Sequence, residues 1–234
     1  MKNQDFSYIA GRMEVYMKND KLHPNILAVR IISNVSPDLA EKLSLGERHK
    51  SLGIITADSD DVTYTGLDEA TKAADVEVVY ARSFYGGAAN ANTKLAGEVI
   101  GIIAGPSPAE VRSGLNACIT FMESDAYFIS ANEDDSIVYY AHTVSRTGSY
   151  LSKIAGITEG EALAYVIAPP LEAIYALDAA MKAADVRLCE FYGPPSETNF
   201  GGGLLTGSQS ACYAACNAFA EAVRSVADRP KEYQ

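Results

Sequence analysis

Residues 67–78, Leu-Asp-Glu-Ala-Thr-Lys-Ala-Ala-Asp-Val-Glu-Val, return at 177–188 as Leu-Asp-Ala-Ala-Met-Lys-Ala-Ala-Asp-Val-Arg-Leu, with eight of twelve positions identical at an offset of 110. A repeat constrains a fold more than composition does, because each copy must find the same local structure. Neighbouring segments keep the order. The apolar run 52–57 has its counterpart at 163–168, an offset of 111, and the segments 105–117 and 207–219 both run from turn into helix at an offset of 102. One unit of roughly 100 residues is written twice. Pseudosymmetry of this kind serves assembly more often than a lone catalytic centre.

With 234 residues and 48% apolar content the chain can bury two small cores, one per copy. A formal charge of −11, with Lys and Arg scattered singly, argues against nucleic-acid binding, which needs clustered cations. No apolar stretch reaches the roughly 18–20 residues of a membrane span. The first twenty residues carry Lys2, Asp5, Arg12, Glu14, Lys18 and Asp20 and have no apolar centre, unlike a signal peptide, so a cytoplasmic protein is expected. Met1-Lys2-Asn3 is echoed by Met17-Lys18-Asn19, and patterned sequence starts near Asn25. Residues 1–24 therefore read as a disordered leader, 25–132 as a first domain and 133–228 as a second, divided at the acidic turn Asn132-Glu133-Asp134-Asp135.

Hydrophobic periodicity predicts strands at 25–36, 51–57, 75–85, 95–104, 127–130, 136–145, 162–168 and 185–192, and helices near 38–43, 67–74, 107–122, 170–184 and 208–227. Ser107-Pro108-Ala109-Glu110 has the form of a capping box with Pro at the first helical position. Each half reads as an α+β sandwich with helices on one face of a mixed sheet. Of four cysteines only Cys212 and Cys216 stand close, and their Ala and Phe surroundings favour buried small hydrophobes over a metal pair.

Asp58-Ser59-Asp60-Asp61-Val62, after an apolar strand, is the sharpest chemical cue. Three carboxylates in four positions can hold a hard cation or an ammonium group. They also match the Asp-x-Asp-x-Val of haloacid-dehalogenase-type phosphatases, in which Asp58 would be the nucleophile, Asp60 the general acid, Mg²⁺ the cofactor, and Glu133-Asp134-Asp135 a later metal site. A calcium loop from Asp58 to Glu69 is rejected because Thr63 stands where the turn needs Gly. Gly202-Gly203-Leu204-Leu205-Thr206-Gly207-Ser208 lacks the Lys of a phosphate loop and reads as a glycine-rich turn. His23, His49 and His142 fall in no recognisable pairing. The strings 145–152 and 194–200 read as polar loops able to line a pore.

Ala57 to Tyr64, Val78-Val79-Tyr80-Ala81-Arg82-Ser83, Val144 to Ser152, Ala168-Pro169-Pro170-Leu171-Glu172-Ala173, Pro194 to Asn199 and Leu205-Thr206-Gly207-Ser208-Gln209 together resemble the ethanolamine-utilisation shell proteins of bacterial microcompartments, in order, from about residue 25 to 228. The resemblance implies two tandem, circularly permuted, ferredoxin-like α/β-sandwich microcompartment domains. It implies a non-enzymatic homotrimer that imitates a hexagonal tile, packs with other shell proteins, and carries a gated central pore and smaller pores that bind ethanolamine. By motif position it assigns Asp60, Asp61, Glu98, Phe128, Glu172 and Thr198 to the small pore. The chemistry agrees, since ethanolamine is a cation that carboxylates can hold while a hydroxyl meets its alcohol. No cofactor is required, although such carboxylates can also take Zn²⁺ or Mg²⁺ in competition with the amine. Rival readings are the phosphatase and a soluble amine-binding protein with no lattice role.

Overall fold

The computed structural model describes residues 19–83, 99–194 and 200–232. Its first half runs β2 (Ile26–Ile32), α1 (Pro37–Lys42), β3 (Ser51–Ala57), α2 (Asp60–Ala73), β4 (Glu77–Ser83), β5 (Val99–Gly105) and α3 (Pro108–Ser124). The second half repeats that order: β7 (Val138–Val144), α4 (Ser149–Ala155), β8 (Ala162–Ala168), α5 (Pro170–Ala183), β9 (Val186–Tyr192), β10 (Gly201–Gly207) and α6 (Gln209–Asp228). Both halves weave their strands identically, β2-β3-β5-β4 in one sheet and β7-β8-β10-β9 in the other. The duplication is therefore one of topology as well as of sequence. The second sheet is extended by β6 (Phe128–Ser130) and β1 (Lys21–Leu22), which pairs on β6 within the stretch read from sequence as a leader.

Four expectations are corrected. The sheets are not mixed: among the described residues each sheet ladder is antiparallel. Helices do not share one face either, because α1 covers the opposite side of the first sheet, where Ala40 and Leu43 meet Leu52, Ile102 and Ala104. The glycine-rich segment at 202–207 is a central strand, β10, and not a turn. Its glycines permit close backbone approach: a Cβ at Gly202 would stand 1.9 Å from the Val166 carbonyl oxygen. Part of the polar string 145–152 is the start of helix α4. The capping box at Ser107 is half formed, since Ser107 Oγ accepts from Glu110 N at 3.3 Å while the Glu110 carboxylate accepts instead from Asp75 N at 2.9 Å.

In the second half β8 is buried along its whole length, with alternate residues facing different layers. Ala164, Val166 and Ala168 meet α5 and α6, together with Cys212, Cys216 and Phe219, so the cysteines pack as small hydrophobes. Leu163, Tyr165 and Ile167 face the other way, into a core shared with Val62 and Leu67 of α2. The two halves thus interlock by laying α2 of the first on the outer sheet face of the second.

Polar bonds fix that contact. Asp68 of α2 is fully buried, and its carboxylate accepts from Gly148 N at 2.7 Å and from Leu151 N at 2.8 Å, serving the start of α4 where no side chain of α4 does so. Gly148 is required there, because a Cβ would lie 2.2 Å from Thr71 Oγ1 and 2.6 Å from the Asp68 carbonyl oxygen. Thr65 Oγ1 and the Tyr140 hydroxyl bond at 2.8 Å across the same junction. Asp68→Ala strands two buried N–H groups, and a loss of about 2–4 kcal/mol in unfolding free energy is expected by urea titration. Gly148→Ala is expected to cost at least as much, because α2 backbone as well as the Thr71 side chain is in its way.

Candidate functional site

The acidic loop divides its labour. Asp58, just after β3, accepts from Asn25 N at 2.7 Å and Asn25 Nδ2 at 2.6 Å, so its carboxylate ties down the entry to β2. Asp60 and Asp61 occupy the first turn of α2, where the helix dipole favours negative charge. Asp60 accepts from Ser83 Oγ at 2.7 Å and from Asp61 N at 2.9 Å, and the Tyr64 hydroxyl bonds Ser83 in turn. Asp61 accepts from the Tyr165 hydroxyl of β8 at 2.8 Å. One carboxylate is thereby fixed by the first half of the chain and its neighbour by the second.

Both line a cavity of about 260 Å³ at the junction, with walls that include Tyr64, Arg82, Tyr150, Tyr165, Tyr192 and Phe200. Burial raises the Asp60 pKa, opposed by the Ser83 hydrogen bond. Asp61 is pushed well above the ordinary carboxylate range, first by burial and next by the neighbouring Asp60 charge, with the Tyr165 bond opposing. Tyr150, Tyr165 and Tyr192 are held protonated by burial, Tyr165 most strongly. They can donate or accept hydrogen bonds but do not supply charge. A small pocket with two desolvated carboxylates and a rim of hydroxyls and aromatic faces suits a compact organic cation.

Of the residues assigned by motif position, Asp60 and Asp61 both line this cavity. Phe128 of β6 stands beside the pocket wall, its ring 6.0 Å from Phe200 and stacked at 5.4 Å on Tyr140. Glu172 sits half-exposed in the first turn of α5 and is not among the lining residues. Glu98 and Thr198 lie outside the described residues. The sequence reading missed Tyr64, Ser83, Tyr165 and Tyr192. A signal existed for the first, since Asp61, Tyr64, Thr65 and Asp68 form a polar stripe at helical spacing on α2.

The phosphatase reading is overturned. Its nucleophile would be Asp58, whose carboxylate is committed to Asn25 and does not line the pocket. Its fold would need a parallel sheet flanked on both sides by helices, whereas β3 lies between antiparallel neighbours. Asp134 is bound within its own turn, to Ser136 N and Oγ at 3.2 and 2.8 Å. Among the described residues no group of three His, Cys, Asp or Glu side chains could hold a metal ion, and no helix is long and apolar enough to cross a membrane. The three histidines serve packing: His23 meets Tyr127, His49 is buried beside Glu77, and His142 stacks on Tyr140, where burial lowers its pKa to about 4.

Comparison with known proteins places these features. The BMC domain family matches residues 51–133. The chain is 75% identical over 214 residues to the bacterial microcompartment shell protein EutL of Clostridium perfringens (strain 13 / Type A), spanning 92% of this chain and 99% of that protein. Its fold matches the crystal structure of ethanolamine utilization protein EutL from Leptotrichia buccalis C-1013-b with a TM-score of 0.90 at 72% identity, covering 93% of this chain and all of that one. A trimeric bacterial microcompartment shell protein, PduB, shares the fold at a TM-score of 0.72 and 22% identity, over 87% of this chain and 89% of that one.

The raised Asp61 pKa fixes the sign of a pH effect. A carboxyl that binds its proton more tightly when folded than when unfolded makes stability fall as pH rises from the ordinary carboxylate value through the folded one. Asp61→Asn keeps the acceptor for Tyr165 and removes the buried charge. Its thermal midpoint at pH 8 is expected to exceed that of the parent by a few degrees, the gap closing as pH approaches about 4, in differential scanning calorimetry.

Proposed function

We propose a gated tile as the working form of this chain, which belongs to the EutL family of bacterial microcompartment shell proteins. Its role is structural rather than enzymatic, and its place is the microcompartment shell. Three copies assemble into a pseudohexagonal plate that packs with other shell proteins around a central pore. In each subunit the pocket between the halves binds ethanolamine and so biases the state of that pore.

The single observation that carries this reading is the pair of buried carboxylates shared between the halves: Asp60 held by Ser83, and Asp61 held by Tyr165. The ammonium of a small amino alcohol relieves the like-charge and desolvation penalties that Asp61 bears alone. Its hydroxyl finds partners among the tyrosines, and Thr198 is assigned to the same end by motif position. Because the ligand touches residues of both halves, it favours the arrangement in which they are closest, and closure of the central pore is the expected consequence. Zn²⁺ at the same carboxylates would compete with the amine.

Isothermal titration calorimetry with ethanolamine tests the site. Asp61→Asn is expected to weaken binding at pH 8 at least tenfold, about 1.4 kcal/mol. Parent affinity is expected to rise with pH as Asp61 gives up its proton, until the amine itself deprotonates. Unchanged affinity in Asp61→Asn would remove the site assignment.

A further inference from the structure

Among the described residues five aromatic rings line the pocket that holds Asp60 and Asp61, and they come from both halves of the chain. Tyr64 of α2 stands 6.2 Å from Tyr150 of α4, ring centre to ring centre, and Tyr165 of β8 stands 6.3 Å from Tyr192 of β9. Phe200, just before β10, completes the set. Two of the four tyrosine hydroxyls are committed to the protein, Tyr165 to Asp61 and Tyr64 to Ser83. What those two residues offer a ligand is ring more than hydroxyl. The face of such a ring carries partial negative charge and attracts a cation within about 6 Å of its centre.

Aliphatic side chains join the rings: Leu151 and Ile154 of α4 and Ile167 of β8 line the same cavity. A bare ammonium gains nothing from them. It brings three N–H donors, each needing an acceptor once out of water, and no apolar surface on the nitrogen. Methyl groups in place of those hydrogens remove the demand for acceptors, add surface that packs on rings and aliphatic walls, and keep the charge that carboxylates attract. There is room for them. At roughly the 30 Å³ that a water takes in the liquid for each non-hydrogen atom, ethanolamine needs about 120 Å³ and its trimethylated form about 210 Å³, against a cavity of about 260 Å³.

We infer that the pocket takes N-methylated amino alcohols as a ligand class, up to the quaternary ammonium, held by ring faces together with the paired carboxylates. This rests on the reading of the cavity as an amine site and widens the class of amine it accepts. Asp60 supplies a fixed acceptor of charge, since its Oδ1 accepts from Asp61 N and its Oδ2 from Ser83 Oγ. Tyr64 and Tyr165 hold the two carboxylates in place as well as lining the site. Tyr150 and Tyr192 are therefore the rings whose loss separates the methylated amines from the bare one.

Isothermal titration calorimetry on the full chain compares ethanolamine, N,N-dimethylethanolamine, choline and 3,3-dimethylbutanol, the uncharged analogue of choline with carbon in place of nitrogen. The two methylated cations are expected to bind within about tenfold of ethanolamine or more tightly, and the uncharged analogue at least tenfold more weakly than choline. Tyr150→Leu and Tyr192→Leu are expected to lower the affinity for choline about five times more than that for ethanolamine, and Tyr150→Phe and Tyr192→Phe, which restore the ring face without the hydroxyl, to recover most of that loss. The ligand series on the parent decides the class whether or not a Leu variant folds. Ethanolamine binding with choline more than tenfold weaker overturns this inference and leaves the amine site standing. An uncharged analogue that binds as well as choline, or folded Leu variants that weaken both cations alike, overturns it too. If neither cation binds, this inference and the amine reading fall together.

Discussion

The Asp68 carboxylate, buried at the start of α4, is the interaction on which the joining of the two halves depends. A helix of seven residues is too short to persist by its own hydrogen bonds, and α4 has a glycine where a capping side chain would stand. Asp68 supplies the missing acceptor from the other half, by two bonds that cost little because the donors are already aligned. Burial raises the Asp68 pKa and the two N–H donors oppose it, so the carboxylate is stabilised by the backbone more than by the nearby Lys72 ammonium at 3.9 Å. Gly148 is the reciprocal requirement. The halves can approach closely only because one has no side chain where the other presents backbone.

That close approach creates the pocket and explains its strain. Asp61 is buried by the same contact that buries Asp68, but it has one hydroxyl donor and an adjacent carboxylate instead of two backbone donors. Tyr165 bonds one oxygen, and the like charge of Asp60 opposes ionisation. A buried carboxylate so poorly compensated weakens the fold, and an apolar residue of similar shape would strengthen it. Its presence is intelligible as an unfilled demand for a cation. Under the proposed function the amine relieves that penalty, and the binding energy is drawn from a defect the fold already carries.

Much of this was legible in the residues. The repeat at 67–78 and 177–188 marks the helices α2 and α5 and the strands after them, and 162–168 was bounded to the residue because seven apolar positions in a row end at Pro169 and Pro170. Asp60 and Asp61 stood out because acidic clusters at strand ends are uncommon in apolar surroundings. Helix α4 was hidden, since Ser149, Tyr150 and Ser152 carry no strong helical preference and the group that starts the helix lies 80 residues earlier. Strand β10 was hidden for the opposite reason: Gly201, Gly202 and Gly203 suggest a turn, and their need appears only once the Val166 and Glu190 carbonyls are in place. Tyr165 and Tyr192 could not be assigned to the site because nothing local distinguishes a tyrosine that faces a partner half from one that faces its own core.

The duplication also explains why one subunit should hold one such site. At the α5 positions matching Asp60, Asp61 and Tyr64 stand Pro170, Leu171 and Ile174. Across from them, where Tyr165 and Ile167 face Asp61 within the chain, the first half offers Ile54 and Thr56. These positions carry no carboxylate to hold an ammonium and no phenol to orient one. The two copies of the unit have divided their tasks along the same helix face. One keeps a polar, imperfectly satisfied contact within the chain, and the other leaves Leu171, Ile174 and Tyr175 exposed. Were both apolar, nothing would couple a small amine to the relation between halves.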